Sequence, residues 1–179
     1  MRRSWSAKLT WAGILSVALG LGIANAQTGE HDFVSQVAMS NMAAIQLGHM
    51  ATKKAQDADV KKFAQATIDE NLKAQQQLAD AAYGAGIQWP KKLDERHQQI
   101  QQRLSKLNNE QFDREYMKTM VERDRDIEKM LAARSKSAAQ SNEPPLAAKV
   151  NQWAAKTLPE VRAHLKEAEL VYGQLNKGE

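Results

Sequence analysis

The sequence predicts an all-α protein, an antiparallel four-helix bundle with a short extra helix in the long connection between helices 2 and 3. Three observations support this. The chain is rich in Ala, Gln, Lys, Leu and Glu, which favour helices. Apolar residues recur at steps of three and four, and Gly and Pro interrupt the sequence at only a few points. With 179 residues, 42% of them hydrophobic and 26% charged, the composition suits one soluble domain with an aliphatic core.

The first 26 residues have the features of a cleaved secretory leader. Two arginines and a lysine precede the apolar run AGILSVALGLGIA, which ends in a small-residue cleavage site at Ala26. The run is shorter than the roughly 20 residues that a membrane-spanning helix needs, so a leader is favoured over an anchor. We therefore expect a single mature helical domain, residues 27–179 with its core at 33–175, located in the periplasm or outside the cell.

The leader also accounts for the positive net charge. The whole chain has 25 Lys and Arg against 21 Asp and Glu, but three of the basic residues and none of the acidic ones fall in the leader, which leaves 22 against 21. A mature charge near +1 gives no electrostatic support for binding to nucleic acid or anionic lipid. The absence of cysteine excludes disulfides, thiolate metal ligands and a cysteine nucleophile.

Two long helices are predicted in the first half of the mature chain. The first runs from Phe33 to Lys54, with Asp32 as its N-terminal cap. The second follows a cap at Asp57 or Asp59 and extends to about Tyr83, where two glycines end it. Its inward apolar residues are predicted to be Val60, Phe63, Ala64, Ile68, Leu72, Leu78, Ala79 and Ala82. The same inward row would also carry polar residues, namely Thr67, Asn71 and Gln75.

In the second half of the chain, the sequence predicts a short helix and two further long helices. The short helix spans Asp94 to Leu107, and the third long helix starts near Asn109 and extends toward Ser137. The fourth opens at the prolines of SNEPPL, where a missing backbone donor costs little. A long connection between the second and third long helices matches the ferritin-like version of the four-helix bundle, whereas an up-and-down bundle uses short loops.

A ferritin-like di-metal site needs a Glu from each of two helices and a Glu-x-x-His from each of the other two. The chain contains no Glu-x-x-His. His164 lies on the apolar stripe of the fourth helix, where a lone histidine is more often a satisfied core residue than a ligand. Asp124 could also face inward, but neighbours of alternating charge favour a solvated surface. The alternative is an iron or manganese site that uses His164 with Asp124, Asp69 and Glu70.

A second metal alternative lies on the first helix, where Met39, Met42, His49 and Met50 occur within twelve residues. Thioether and imidazole ligands suit cuprous copper in an exported protein. Methionines at helical spacing are, however, more often gap-filling core residues. The chain has neither a nucleophile elbow nor a Gly-rich phosphate loop, so the sequence disfavours an enzyme and offers no catalytic residues.

Four segments taken together resemble the domain-of-unknown-function 4142 family of secreted, ferritin-like bacterial proteins. They are FVSQVAMSNMAAIQLGHMA, VKKFAQATIDENLKAQQQL, FDREYMKTMV and LPEVRAHL, and they cover about Phe33 to Val171. The resemblance implies a glutamate ligand where this chain has Ala44, and histidines where it has Asn71 and Asp124. Of the implied ligands only His164 remains.

The substituted positions indicate a degenerate metal site. Alanine cannot coordinate, and an amide is a poor, neutral donor for transition metals. Asn71 would then be a substituted ligand position held by hydrogen bonds across the core. An ordinary polar residue near the end of a helix is an equally open interpretation.

The sequence therefore predicts an exported helical module without a cofactor, in a binding, structural or envelope-stress role. Its partner would be an unknown protein or envelope component, and the mature chain would have no transmembrane segment. One alternative is a metal-binding or redox protein that uses iron, manganese or copper. Another is binding to a membrane surface or a partner helix, for which Trp89 and Trp153 are the aromatic residues to inspect.

Overall fold

Five helices make up the part of the chain that the structure describes. The computed structural model describes residues 20–137 and 144–177, with side chains from Gly29 onward. Within these ranges the protein is all-helical, with α1 (Gly20–Lys54), α2 (Ala58–Ala81), α3 (Glu95–Ser105), α4 (Asn109–Ser135) and α5 (Pro145–Leu175). The first 19 residues of the predicted leader lie outside the described residues, and its cleavage stays a prediction.

The predicted start of the first helix is wrong. α1 begins at Gly20, so Asp32 lies inside the helix and does not cap it. The residues before Asp32 include strong helix formers such as Ala24 and Ala26, and they continue the helix without a break. No helix of the described residues combines the length and apolarity needed to cross a bilayer.

The predicted starts of α2 and α3 are confirmed, while the helices end at Ala81 and Ser105, two residues before the predicted ends. The Asp57 carboxylate accepts hydrogen bonds from the backbone N–H groups of Asp59 and Val60 at 2.8 and 3.0 Å, and so satisfies two donors at the start of α2. Asp94 does the same for α3 by accepting from the His97 N–H at 2.9 Å. Gly84 follows α2 with φ of +77°, and the next glycine has φ of +71°, a conformation that favours glycine.

The four long helices pack in a closed pattern of neighbours. α1 packs along α2, α4 packs along α5, and further contacts join α2 to α5 and α1 to α4, while α3 contacts α1 and α4. α1 and α2 approach each other closely at Gly48. A Cβ there would lie 2.7 Å from Ile68 Cγ1 and 3.1 Å from the Ala64 carbonyl oxygen.

Two apolar clusters form the core. Cluster 1 includes Leu47, Phe63, Phe112, Tyr116 and Met120, and cluster 2 includes Val34, Leu78, Leu131, Val150 and Trp153. In each long helix, buried polar residues lie between the segments that supply the two clusters. We call these residues the polar layer, and its members are Ser40, Asn41, Thr67, Asn71, Asp124 and His164.

The inward row predicted for α2 is largely confirmed, including its polar positions. Thr67 and Asn71 are 0% and 6% exposed. Leu72, in contrast, was predicted to face inward and is 52% exposed, so that prediction is wrong. The row passes through Asn71 because the core at this level is polar. Leu72 is the next residue along the helix, so its side chain is turned by about 100° from this row.

Candidate functional site

The polar layer is centred on the guanidinium of Arg123, a residue of α4. Its Nε donates to Ser40 Oγ at 3.1 Å, and its Nη1 donates to Asp124 Oδ1 at 2.7 Å. Its Nη2 donates to Asn41 Oδ1 at 3.1 Å and to Asn71 Oδ1 at 2.6 Å. The Arg123 side chain is 16% exposed. A single, partly buried cation therefore binds four side-chain oxygens from three helices.

The backbone of α2 fixes the direction of the Asn71 amide. Asn71 Nδ2 donates to the carbonyl oxygen of Thr67 at 2.8 Å, one helical turn earlier. The amide nitrogen thus points along α2, which leaves the amide oxygen to accept from Arg123. Of the two interpretations that the sequence left open for Asn71, the hydrogen bond across the core is present, and its partner is an arginine.

His164 connects α5 to the polar layer. Its Nε2 lies 3.1 Å from Thr67 Oγ1 and 3.9 Å from Asp124 Oδ2, and its Nδ1 lies 2.9 Å from Glu70 Oε2. The ring stacks on Phe63 with centroids 4.4 Å apart. Because the two ring nitrogens point in different directions, Glu70 and Asp124 lie on different sides of the imidazole and do not converge with it on one point.

The hydroxyl of Tyr116, a residue of cluster 1, is buried and has no hydrogen-bond partner among the described residues. Burial raises the pKa of Tyr116 above its ordinary value, and the Asp124 charge adds to the rise while the Arg123 charge opposes it. The phenol therefore stays neutral.

The structure brings together only some of the predicted iron or manganese ligands. Asp124 and His164 are 1% and 5% exposed in the polar layer, and Glu70 reaches His164 from the surface, with half of its side chain exposed. Asp69 is exposed and its carboxylate accepts from Gln65 at 3.0 Å, so it takes no part in the layer. The alternating charges favoured a solvated surface position for Asp124, and that prediction is wrong.

The four copper candidates do not form one cluster. Met39 borders a groove beside α4, His49 is exposed, and Met50 packs against cluster 1. Met39 and Met50 are eleven residues apart on one helix, or roughly 16 Å at 1.5 Å per residue. Met42, which is partly buried, lies between them, and ligands of one ion must lie within a few ångströms of each other.

The polar layer does not have the ligand set of a di-metal centre. Among the described side chains, no group of three or more His, Asp or Glu residues is placed to hold a metal ion. Ala44 and Asn71, where the resemblance implies ligands, offer a methyl group and an amide. The fixed charge of Arg123 would also repel a second cation in this low-dielectric interior.

Arg123 separates two spaces of different character. On one side a small cavity of about 30 Å³ is bordered by Asn41, Asp124 and His164. On the other side an open groove of about 440 Å³ runs between α1, α3 and α4. Ser40 borders this groove together with Arg123, so the groove has a polar inner wall.

The segment FDREY lies near the start of α4, where Asp113 contacts the turn that joins α1 to α2. Asp113, which is 1% exposed, accepts from the backbone N–H groups of Asp57 at 2.8 Å and Gln56 at 3.1 Å. Burial raises the pKa of Asp113, and those two backbone hydrogen bonds oppose the rise. Phe112 and Tyr116 stack with centroids 5.9 Å apart.

Arg123 is the functional residue that sequence reasoning missed. It lies in the charged run ERDRD, where Glu122, Arg125 and Asp126 are indeed exposed. The available signal was the set of inward amides, because buried amide oxygens need donors. With Asn71 on an inward row, a donor from another helix had to be present.

Comparison with known proteins identifies a family of uncharacterised role. The sequence model described as "Domain of unknown function (DUF4142)" matches residues 22–171. No curated protein matches the chain. No solved structure matches it either.

Proposed function

Because this chain belongs to the DUF4142 family and an arginine occupies the centre of its polar layer, we propose that it is an exported, non-catalytic helical protein that binds a ligand or partner without a metal. The four acceptors around Arg123 carry this proposal. They supply to a guanidinium the oxygen contacts that an internal metal ion would otherwise take, and Asp124 supplies the matching negative charge.

The arrangement of the helices supports the finer proposal of a ferritin-like four-helix bundle. α1, α2, α4 and α5 have 24 to 35 residues each, while α3 has 11 and lies in the connection between α2 and α4. A long crossover between the second and third long helices is the connection expected of that bundle.

Export is supported by the amino-terminal sequence, with its basic residues, apolar run and small-residue site at Ala26. The mass of the protein purified from the cell envelope or medium tests this proposal. We expect a chain that starts near residue 27. An intact chain confined to the cytoplasm would contradict export.

Metal analysis of the purified protein tests the proposed absence of a metal. Protein isolated without chelators should contain iron, manganese, zinc and copper far below one atom per chain. The rival is a single ion held between His164 Nε2 and Asp124 Oδ2, which are 3.9 Å apart. One bound atom per chain that disappears in His164→Ala would contradict the proposal and favour this rival.

The matched control for that variant is His97→Ala. His97 lies on α3, where its Nδ1 is 2.7 Å from Asp94 Oδ1, and it is not part of the polar layer. If metal is lost equally from both variants, the ion is bound adventitiously at the surface and the proposal stands.

A further inference from the structure

We infer that the groove between α1, α3 and α4 binds a small amphipathic carboxylate, a molecule with an apolar body and one carboxylate group. This inference rests on the binding role proposed above and assigns that role a ligand class and a site. At about 440 Å³, the groove falls within the roughly 300–1,000 Å³ that is typical of small-molecule sites.

The body of the groove is apolar and adaptable. Two alanines on α1 make its wall shallow enough to admit a ligand, and methionines can change conformation to fit an irregular apolar shape. The apolar side chains that matter most here are Met39, Ala43, Ala44, Leu47, Ile100 and Met120.

The inner wall offers two hydrogen-bond donors, while the charge of Arg123 is already paired with that of Asp124. A guanidinium has five N–H groups, and the four acceptors of Arg123 use four of them, which leaves one on Nη1. Ser40 accepts from Arg123 and therefore keeps its own hydroxyl hydrogen for donation. A carboxylate has two oxygens that can accept both bonds, and charge-assisted bonds of this kind are the stronger ones.

The charges at the mouth of the groove do not select a ligand of either sign. Arg96 lies 4.0 Å from Asp126, and Arg103 pairs with Glu115. Glu122 is exposed to solvent, where its charge is screened. The choice of ligand is therefore made at the inner wall, where Ser40 and Arg123 present hydrogen-bond donors that only a ligand with acceptor oxygens can use.

Calorimetric titration of the purified protein with dodecanoate, dodecan-1-ol and dodecylammonium, each below its micelle concentration, tests the inference. We expect dodecanoate to bind at one site per chain and about tenfold or more tightly than the other two. Ser40→Ala should weaken dodecanoate binding roughly two- to tenfold, the effect of one lost hydrogen bond. Equal binding of dodecylammonium, or no saturable binding of dodecanoate, would overturn the inference.

A pair of tryptophan variants locates the site. Gln36 is exposed and borders the groove, so Gln36→Trp should obstruct it and weaken binding about tenfold or more. Gln174 is exposed on α5 away from the groove, so Gln174→Trp should leave binding unchanged. Binding that is insensitive to Gln36→Trp would refute the groove as the site. A failed titration with metal-free protein would refute this inference alone and leave the metal-independent function intact.

Discussion

The guanidinium of Arg123 donates from Nη2 to the amide oxygen of Asn71, 2.6 Å away, and so links α4 to α2 through the interior. The same Nη2 reaches Asn41 on α1, and Asp124 extends the link toward His164 on α5. All four long helices thus meet at one level, between two apolar clusters. Buried polar networks of this kind have defined partners, so we expect this one to fix the register of the helices.

Arg123→Ala should lower the free energy of unfolding by about 3–5 kcal/mol, because it leaves the Asp124 carboxylate buried without its cation. Urea denaturation measures the change. The control is Arg125→Ala, which removes an exposed ion pair with Glu169 and should cost less than about 1 kcal/mol. Equal effects of the two variants would show that the polar layer does not depend on Arg123.

Gly48→Ala should destabilise the protein by about 1 kcal/mol or more. The added methyl group would meet Ile68 Cγ1 and the Ala64 carbonyl oxygen, and overpacking of this kind costs about 1–3 kcal/mol, only partly offset by the better helix propensity of alanine. The matched control is Gly173→Ala on α5, where a Cβ meets nothing within 4 Å. That variant should be stabilised by roughly 0.5–1 kcal/mol, and the opposite order in thermal denaturation would contradict the close approach of α1 and α2.

Asp113→Ala should lower the free energy of unfolding by about 1–3 kcal/mol, because it leaves the N–H groups of Gln56 and Asp57 without an acceptor at the start of α2. Asp113→Asn keeps one oxygen that can accept, and it should cost less than the alanine variant. Hydrogen exchange at Asp57 should speed up in the alanine variant. Unchanged exchange would show that this contact does not hold the turn.

The acid dependence of stability should show the raised pKa of Asp113. Its folded-state pKa is raised chiefly by burial, so the folded protein binds this proton more tightly than the unfolded chain. The stabilisation that the protonated Asp113 gives the folded state is therefore full below the unfolded pKa of about 3.9, and it is lost as the pH rises through the folded pKa. The stability of the wild type relative to Asp113→Asn should fall as the pH rises above the unfolded pKa of about 3.9 toward neutral, and a rise over that range would contradict the assignment.

Helical periodicity predicted most of the elements and the burial of Thr67, Asn71 and His164. Local chemistry also predicted a cap at Asp57 or Asp59, of which the structure shows Asp57, because capping depends on residues only two or three positions away. These features are encoded within single helices, which explains why one sequence was enough to find them.

The centre of the site could not be predicted in the same way. Arg123 is buried because acceptors on α1 and α2 surround it, and those contacts join residues 52 to 83 positions apart in the sequence. A prediction from helical periodicity assigns apolar residues to the core and charged residues to the surface. It therefore placed Leu72 inward and the charged run around Arg123 on the surface. Only the packing of the helices reveals that the polar side chains face one another.

The most direct test of the central claim is thermal unfolding of the purified protein with and without metal. A ligand that binds the folded state and not the unfolded chain raises the unfolding temperature, and the rise grows with the ratio of ligand concentration to Kd. If Arg123 is the internal cation, treatment with a chelator followed by iron, manganese, zinc or copper should leave the unfolding midpoint unchanged. A midpoint that falls with the chelator and is restored by one equivalent of a single metal would contradict the account.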